Sequence, residues 1–235
     1  MANAEQSSPF SGRAQAYAQA RPGYPEAAIE YICSLIPKDA VIADIGAGTG
    51  KFAEPVARLG YEIFAVEPDA DMRKQLAAAL DQYPNAKIVD GAAESTTLPD
   101  HSVDVISSAQ ALNWFDIDAF KLECKRIGKP NPFIITLFNY EPAYVDDKSH
   151  GIGRYDKTTS KLYNNPVKRE FQNPILFDRN MWLLYHLSMA GVPFPGDPGY
   201  EAYTTGLIEQ FNRASANGIL RHELVTRVYS ERMEI

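Results

Sequence analysis

Residues 41–52 read VIADIGAGTGKF, an apolar run carrying one acid and followed by a turn with glycines at 46, 48 and 50. Val41, Ile42, Ala43 and Ile45 make a short, almost wholly apolar segment, the pattern of a parallel strand buried on both faces. The glycines let the chain turn sharply and bring bare backbone against a ligand. Residues 51–59 are mostly good helix formers, with Pro55 tolerable near the first turn. A helix is therefore expected there, its unpaired N–H groups and positive dipole end at the loop. Strand, turn and helix start together describe a nucleotide-cofactor loop, and the register of its glycines separates three chemistries. A phosphate-cradling loop, G-x-x-x-x-G-K-[ST], fails because Ile45 occupies its first glycine position and Phe52 stands where a metal-binding hydroxyl belongs. The dinucleotide fingerprint G-x-G-x-x-G begins well at Gly46 and Gly48. Its third position is Lys51, where close helix–sheet packing wants glycine or alanine.

Read together with Asp44, the loop is D-x-G-x-G-x-G, which resembles the first motif of class I S-adenosylmethionine-dependent methyltransferases. The resemblance implies that Asp44, Gly46, Ala47, Gly48 and Gly50 bind S-adenosyl-L-methionine. A second short strand, residues 62–66, ends in Glu67, about twenty residues past the loop, where an acid can accept hydrogen bonds from both ribose hydroxyls. Pro68 and Asp69 stop that strand and cap a helix. In the resembling family the acid grips the ribose, Pro68 follows it, and an apolar residue placed like Met72 lies against the adenine. Residues 91–104, GAAESTTLPDHSVD, resemble the family's stretch in which a backbone amide and an acidic side chain meet the adenine edge, here Ala93 and Glu94. SAQALNWFD at 108–116 is similar to the fourth motif and implies Gln110 on the cofactor side and Trp114 on the acceptor side. FSGRAQAYAQARPGYP at 10–25 resembles the preamble of the type 11 small-molecule group. That likeness implies that Tyr17 and Arg21 close over the methionine end of the cofactor, the arginine offering a bidentate fork to a carboxylate.

The elements needed to hold these residues are legible as alternating strands and helices, which demand a parallel sheet with right-handed crossovers. An opening helix at 26–36 precedes strands near 41–45, 61–66, 86–90, 103–108 and 133–138, with helices near 51–59, 69–82 and 115–127. Lys129-Pro130-Asn131-Pro132 is the turn into the fifth strand, with Asn131 able to take a left-handed conformation. Residues 139–198 are rich in Tyr, Asn, Asp, Lys and Pro, then recover a helical pattern over 181–190 after a cap at Asp178. A helix at 201–215 and a strand within 222–233 follow. The fold expected is an α/β Rossmann-like, doubly wound, mostly parallel seven-stranded sheet with an antiparallel last strand and a helical lid insertion. It is divided into an N-terminal helical cap (1–38), a cofactor core (39–139), a lid over the acceptor (140–200) and a closing helix and strand (201–235). A binding crevice belongs at the C-terminal ends of the strands.

Composition narrows the class. At 235 residues and 45% hydrophobic content the chain suits one well-buried domain. No apolar run reaches membrane-span length, and the first residues lack the organisation of a secretory signal. Two cysteines, Cys33 and Cys124, without partner spacing suggest free thiols in a reducing, cytoplasmic setting and exclude a cysteine-based zinc site; no metal is expected. A net charge of −7 disfavours nucleic acid, and the basic cluster of Lys121, Lys125, Arg126 and Lys129 has the spacing of a solvated helix face. A monomer or homodimer is expected.

The activity this implies is methyl transfer to a small organic acceptor through oxygen, nitrogen or a carboxylate. The sulfonium already activates the methyl group, so the protein's task is to align an acceptor lone pair and exclude water. A carboxylate acceptor needs no base. A hydroxyl or amine calls for one, and Glu141, His150 and His186 are the candidates. Residues 108–114 lack the [DN]-P-P-[FY] clamp of enzymes that methylate amino groups of DNA bases. Trp114, Asn139, Tyr140 and Tyr144 are the expected acceptor-side residues. Two other classes are compatible with the glycine loop, a silent S-adenosylmethionine-binding regulatory module and an NAD-dependent oxidoreductase. Ligand preference and turnover separate them.

Overall fold

In the computed structural model, residues 12–144 and 151–233 are described. The first strand, β1 (Val41–Ile45), is the hub. It pairs in parallel with β2 (Glu62–Val66) on one side and β4 (Val103–Ala109) on the other, and β2 pairs with β3 (Ala86–Val89). Beyond β4 lie β5 (Gly128–Tyr140), β9 (Val225–Arg232) and β6 (Val167–Gln172), completing a seven-stranded sheet in the order β3-β2-β1-β4-β5-β9-β6. Only β9 opposes the others, antiparallel to both β5 and β6. Strand order reverses between β1 and β4, which puts the topological switch point directly beside the glycine loop.

Helices cover both faces. On one, α2 (Glu26–Ser34), α3 (Ala53–Arg58) and α4 (Ala70–Leu80) bury Ile29, Ile32, Val56 and Leu76 against Ile42, Ile63 and Val105. On the other, α5 (Ile117–Ile127) and α6 (Gly151–Leu162) bury Phe120, Cys124 and Tyr155 against Ala43, Ile106 and Phe138. Helix starts follow their caps. Asp69 accepts the amides of Asp71 and Met72, and Asp116 those of Asp118 and Ala119. No helix among the described residues is long and apolar enough to cross a membrane.

Three boundaries differ from the sequence expectation. Residues 140–200 are not all lid, because β6 lies within them and forms the sheet edge. The 1–38 stretch divides: α2 belongs to the sheet layer, while α1 (Ala14–Ala20) packs on α7 (Arg179–Leu187). Finally, α8 (Tyr200–Ala214) does not close the sheet. It joins α1, α7 and a small ribbon of β7 (Ile175–Phe177) and β8 (Leu220–His222) in a separate cap with its own core of Ala20, Phe177, Trp182, Tyr185, Leu207, Phe211 and Leu220. The turn at 129–132 lies inside β5 as an irregularity, with Asn131 left-handed at φ +57°.

Candidate functional site

The loop after β1 is fixed by its backbone. The amides of Gly46 and Ala47 both donate to the Val66 carbonyl, at 2.9 and 3.0 Å, so the loop folds back over the end of β2. Gly46 has φ +70°, and a Cβ there would stand 2.6 Å from the Ala111 methyl. Close approach to the segment after β4 thus requires glycine as well as a left-handed backbone. The amide of Gly48 donates to Glu67 Oε2 at 2.8 Å, and Asp69 N donates to Oε1 at 2.9 Å. Burial pushes the Glu67 carboxyl up, while these two amides pull it back down. The helix that follows begins at Ala53 and has six residues, later and shorter than the 51–59 segment suggests. The loop and the two residues leading into the helix, Lys51 and Phe52, line the cleft.

Beneath the loop, Asp44 is fully buried. Its Oδ1 accepts from Ser107 Oγ at 3.1 Å, but Oδ2 has no hydrogen-bond partner among the described residues. Burial raises its carboxyl to about 7, with Ser107 lowering it and the nearby Glu67 raising it further. Leaving a buried carboxylate oxygen unpaired costs on the order of 1–3 kcal/mol. Asp44 does not itself line the cleft but lies under the loop residues that do, Gly46 to Thr49, and its free oxygen can accept one more donor.

A cleft at the switch point opens to solvent. Of the residues expected from sequence to bind the cofactor, Tyr17, Arg21, Gly46, Ala47, Gly48 and Gln110 line it. Gly50 (φ +90°) turns the loop towards Leu76, Pro68 is exposed after Glu67, and Met72 is buried in the first turn of α4. Ala93 is buried beside Leu98 in the core, and Glu94 Oε1 accepts from the Asp116 amide at 2.8 Å. Arg21 donates from Nε to Ser188 Oγ at 2.9 Å, and its guanidinium lies between the rings of Tyr17 and Tyr185, 5.3 and 5.1 Å from their centres.

On the acceptor side, Asn139 lines the cleft, and its side chain is part of a closed network. Its Nδ2 donates to the Gly23 carbonyl, and its Oδ1 accepts from Thr226 and Asn173. Gln110, left-handed at φ +65°, clamps the Asn139 backbone with both ends of its amide. Trp114 is 56% exposed. Tyr140 instead bonds Glu170 and Arg227 through its hydroxyl, which places it in the β6–β9 ion-pair group. Of the proposed bases, Glu141 lies 3.4 Å from His222 Nε2, and His186 packs against Trp182 at 4.2 Å. Burial, then the neighbouring His222 and Arg21, push His186 down to about 4. His150 and the side chain of Tyr144 lie outside the described residues. Tyr24, Lys51, Phe52, Tyr185 and Leu224 also line the cleft, beyond the residues expected from sequence. Tyr24 sits in the quoted Pro-Gly-Tyr-Pro turn and was open to discovery there. Tyr185 and Leu224 carry no local signal, because only the fold of the cap brings them in.

Residues 43–136 match the family described as "Methyltransferase domain". An uncharacterized methyltransferase of Mycobacterium tuberculosis is 36% identical over 130 residues, covering 55% of this chain and 51% of the relative. The chain spans about half the length of the curated relatives it matches. The YcgJ protein of Bacillus subtilis has the same fold, with a TM-score of 0.59 at 16% identity over 90% of this chain and 100% of that one. So does a phosphoethanolamine N-methyltransferase of Haemonchus contortus, solved with phosphomonomethylethanolamine and S-adenosylhomocysteine. Its TM-score is 0.54 at 11% identity, over 94% of this chain and 57% of that one.

Proposed function

We propose that this chain, whose residues 43–136 are a methyltransferase domain of the class I S-adenosylmethionine-dependent fold, moves a methyl group from S-adenosylmethionine to a small organic acceptor. The observation that carries this reading is the buried, unpartnered Oδ2 of Asp44 under a glycine loop whose neighbouring acid, Glu67, is already gathered to it through Gly48. The residues fit the group. An amino-acid tail has an ammonium for Asp44 and a carboxylate for Arg21, and a ribose has two hydroxyls for Glu67. The adenine role of Met72, Ala93 and Glu94 rests on the resemblance of their segments, since none of the three lines the cleft. When bound, the cofactor supplies an electrophilic methyl on a sulfonium, so no protein nucleophile is needed.

The chain's own residues then bind, orient and dry the site. Tyr17, Arg21, Tyr185 and Leu224 bring the cap to the loop, a wall that can shield the methyl group from water and hold an acceptor in line, an effect worth several kcal/mol. For a hydroxyl or amine acceptor, the Glu141–His222 pair is the carboxylate–imidazole arrangement able to take up a proton. Cys33 and Cys124, both free, fit a reducing compartment. Thermal-shift measurement with S-adenosylmethionine, S-adenosylhomocysteine and NAD tests the reading. Both sulfur compounds should raise the melting temperature and NAD should not; a shift with NAD alone would overturn it.

A further inference from the structure

Lys51 follows the glycine loop; the phosphate-cradling pattern that would put this lysine on a phosphate fails at Ile45 and Phe52, and the dinucleotide pattern wants glycine or alanine here. The lysine side chain reaches out of the loop to the cap. The ammonium Nζ donates to the carbonyl of Ala18 in α1 at 2.7 Å, and the side chain lines the cleft on its way. That carbonyl needs such a donor. In a helix the partner of residue 18 would be the amide of residue 22, but residue 22 is proline and has no N–H. The amide of Arg21 is already given to Tyr17, at 3.0 Å. A cation at this point also meets the negative end of the helix. Burial lowers the Lys51 pKa, the signature of an ammonium drawn out of bulk water.

α1 packs on α4 of the sheet layer as well as on α7, and the side-chain bonds of Arg13 and Arg21 lead into the cap. Arg13 donates to the carbonyls of Leu187 and Val192, and Arg21 donates to Ser188. These contacts hold α1 to α7. Lys51 is the bond that runs from α1 to the cofactor loop itself. Tyr17, on the same short helix, and Arg21, at its C-terminal cap, face the cleft from the cap, as does Tyr185 of α7.

We propose that Lys51 is a positioning residue that latches α1 onto the glycine loop, so that Tyr17 and Arg21 are held over the cleft and loop and cap close as one unit. The proposal rests on the cofactor assignment for the purpose the latch serves, but not for its existence. A ligand gripped by the loop steadies α1 through Lys51, and a loosened α1 weakens that ligand in return, since coupling between two sites is reciprocal.

Hydrogen exchange and calorimetry on the full chain, comparing Lys51→Met and Lys51→Arg with the parent, test it. Methionine keeps the stem and removes the donor; arginine keeps a donor. In Lys51→Met without ligand, amides of α1 should exchange about tenfold faster while those of β1 and β4 keep their rates. S-adenosylhomocysteine affinity should fall about tenfold, and Lys51→Arg should recover most of both losses. If Lys51→Met does not fold, Lys51→Gln, too short to reach Ala18, carries the same comparison. Unchanged α1 exchange in the variant would overturn the latch. Faster exchange with unchanged affinity would overturn the coupling. Failure of the parent chain to bind S-adenosylhomocysteine would instead sink the cofactor assignment, and the ligand-free exchange would still decide the latch.

Discussion

Asp44 combines burial, one hydroxyl partner and one vacant oxygen, and its proton inventory makes the site sensitive to pH. In the folded protein its carboxyl is raised from 3.8 to about 7, so between those values the native state holds a proton that the unfolded chain has released. Stability from this residue is therefore fully present below about pH 4 and is lost as pH rises through 7. A ligand whose ammonium pairs with Asp44 needs the ionised form, so binding has the opposite slope. S-adenosylhomocysteine affinity should rise between pH 6 and 8, by up to roughly tenfold per unit below the carboxyl pKa, and Asp44→Asn should flatten that dependence. Calorimetric titration across this range checks it; a parallel slope in the Asn variant would clear Asp44 of the role. The positions of Asp44 and Glu67 were legible in the sequence because Asp44 lies in an apolar strand before a glycine turn and Glu67 follows the next apolar strand, just before Pro68. That of His222 was not, since a three-residue ribbon gives no period to read.

At the scale of elements, two glycines of the same loop make different demands. At Gly46 a methyl group would overlap Ala111 and press on the Phe115 ring at 3.2 Å, whereas at Gly48 it would enter open space; both backbones are left-handed, at φ +70° and +57°. Gly48→Ala should cost about 1 kcal/mol, the backbone penalty alone, and Gly46→Ala about 3 kcal/mol or more, because overpacking is added. Urea denaturation of both variants measures the gap, and equal losses would contradict the contact. The elements themselves were legible where one local rule governed them. β1, β2 and β4 are bounded apolar runs, and α4 and α7 start at Asp69 and Asp178, each of which accepts amides of its own helix. β6 was not legible. Its residues, VKREFQ, are mostly exposed, and it is a strand only because β9 offers it a partner. The cap was misdivided for a similar reason, since Arg13 and Val192 meet across 179 positions and no periodicity reports such a contact.

For the molecule as a whole, one buried arginine ties the far side of the sheet together. From β9, Arg227 bonds Glu170 on β6 at 2.8 Å, both carboxylate oxygens of Asp156 on α6 at 2.9 Å, and the Tyr140 hydroxyl at the end of β5 at 3.2 Å. The two acids are 43% and 44% exposed, so when abandoned they turn to water and the loss stays below that of a fully buried pair. Arg227→Met should lower stability by about 2 kcal/mol, seen as a lower urea midpoint with an unchanged m-value. A changed m-value would mean that the sheet edge had already come apart in the native state.

β9 is also the strand that enters between two others, and this fixes an order of events during synthesis. β5 and β6 leave the ribosome well before residues 225–232 exist to join them, and among the described residues β6 pairs with β9 alone. At roughly 5–20 residues per second the far edge of β5 stays unpaired for on the order of ten seconds. During that interval the nascent chain presents an unpaired strand edge, including Ile135 and Leu137, open to pairing with other strands until β9 covers it.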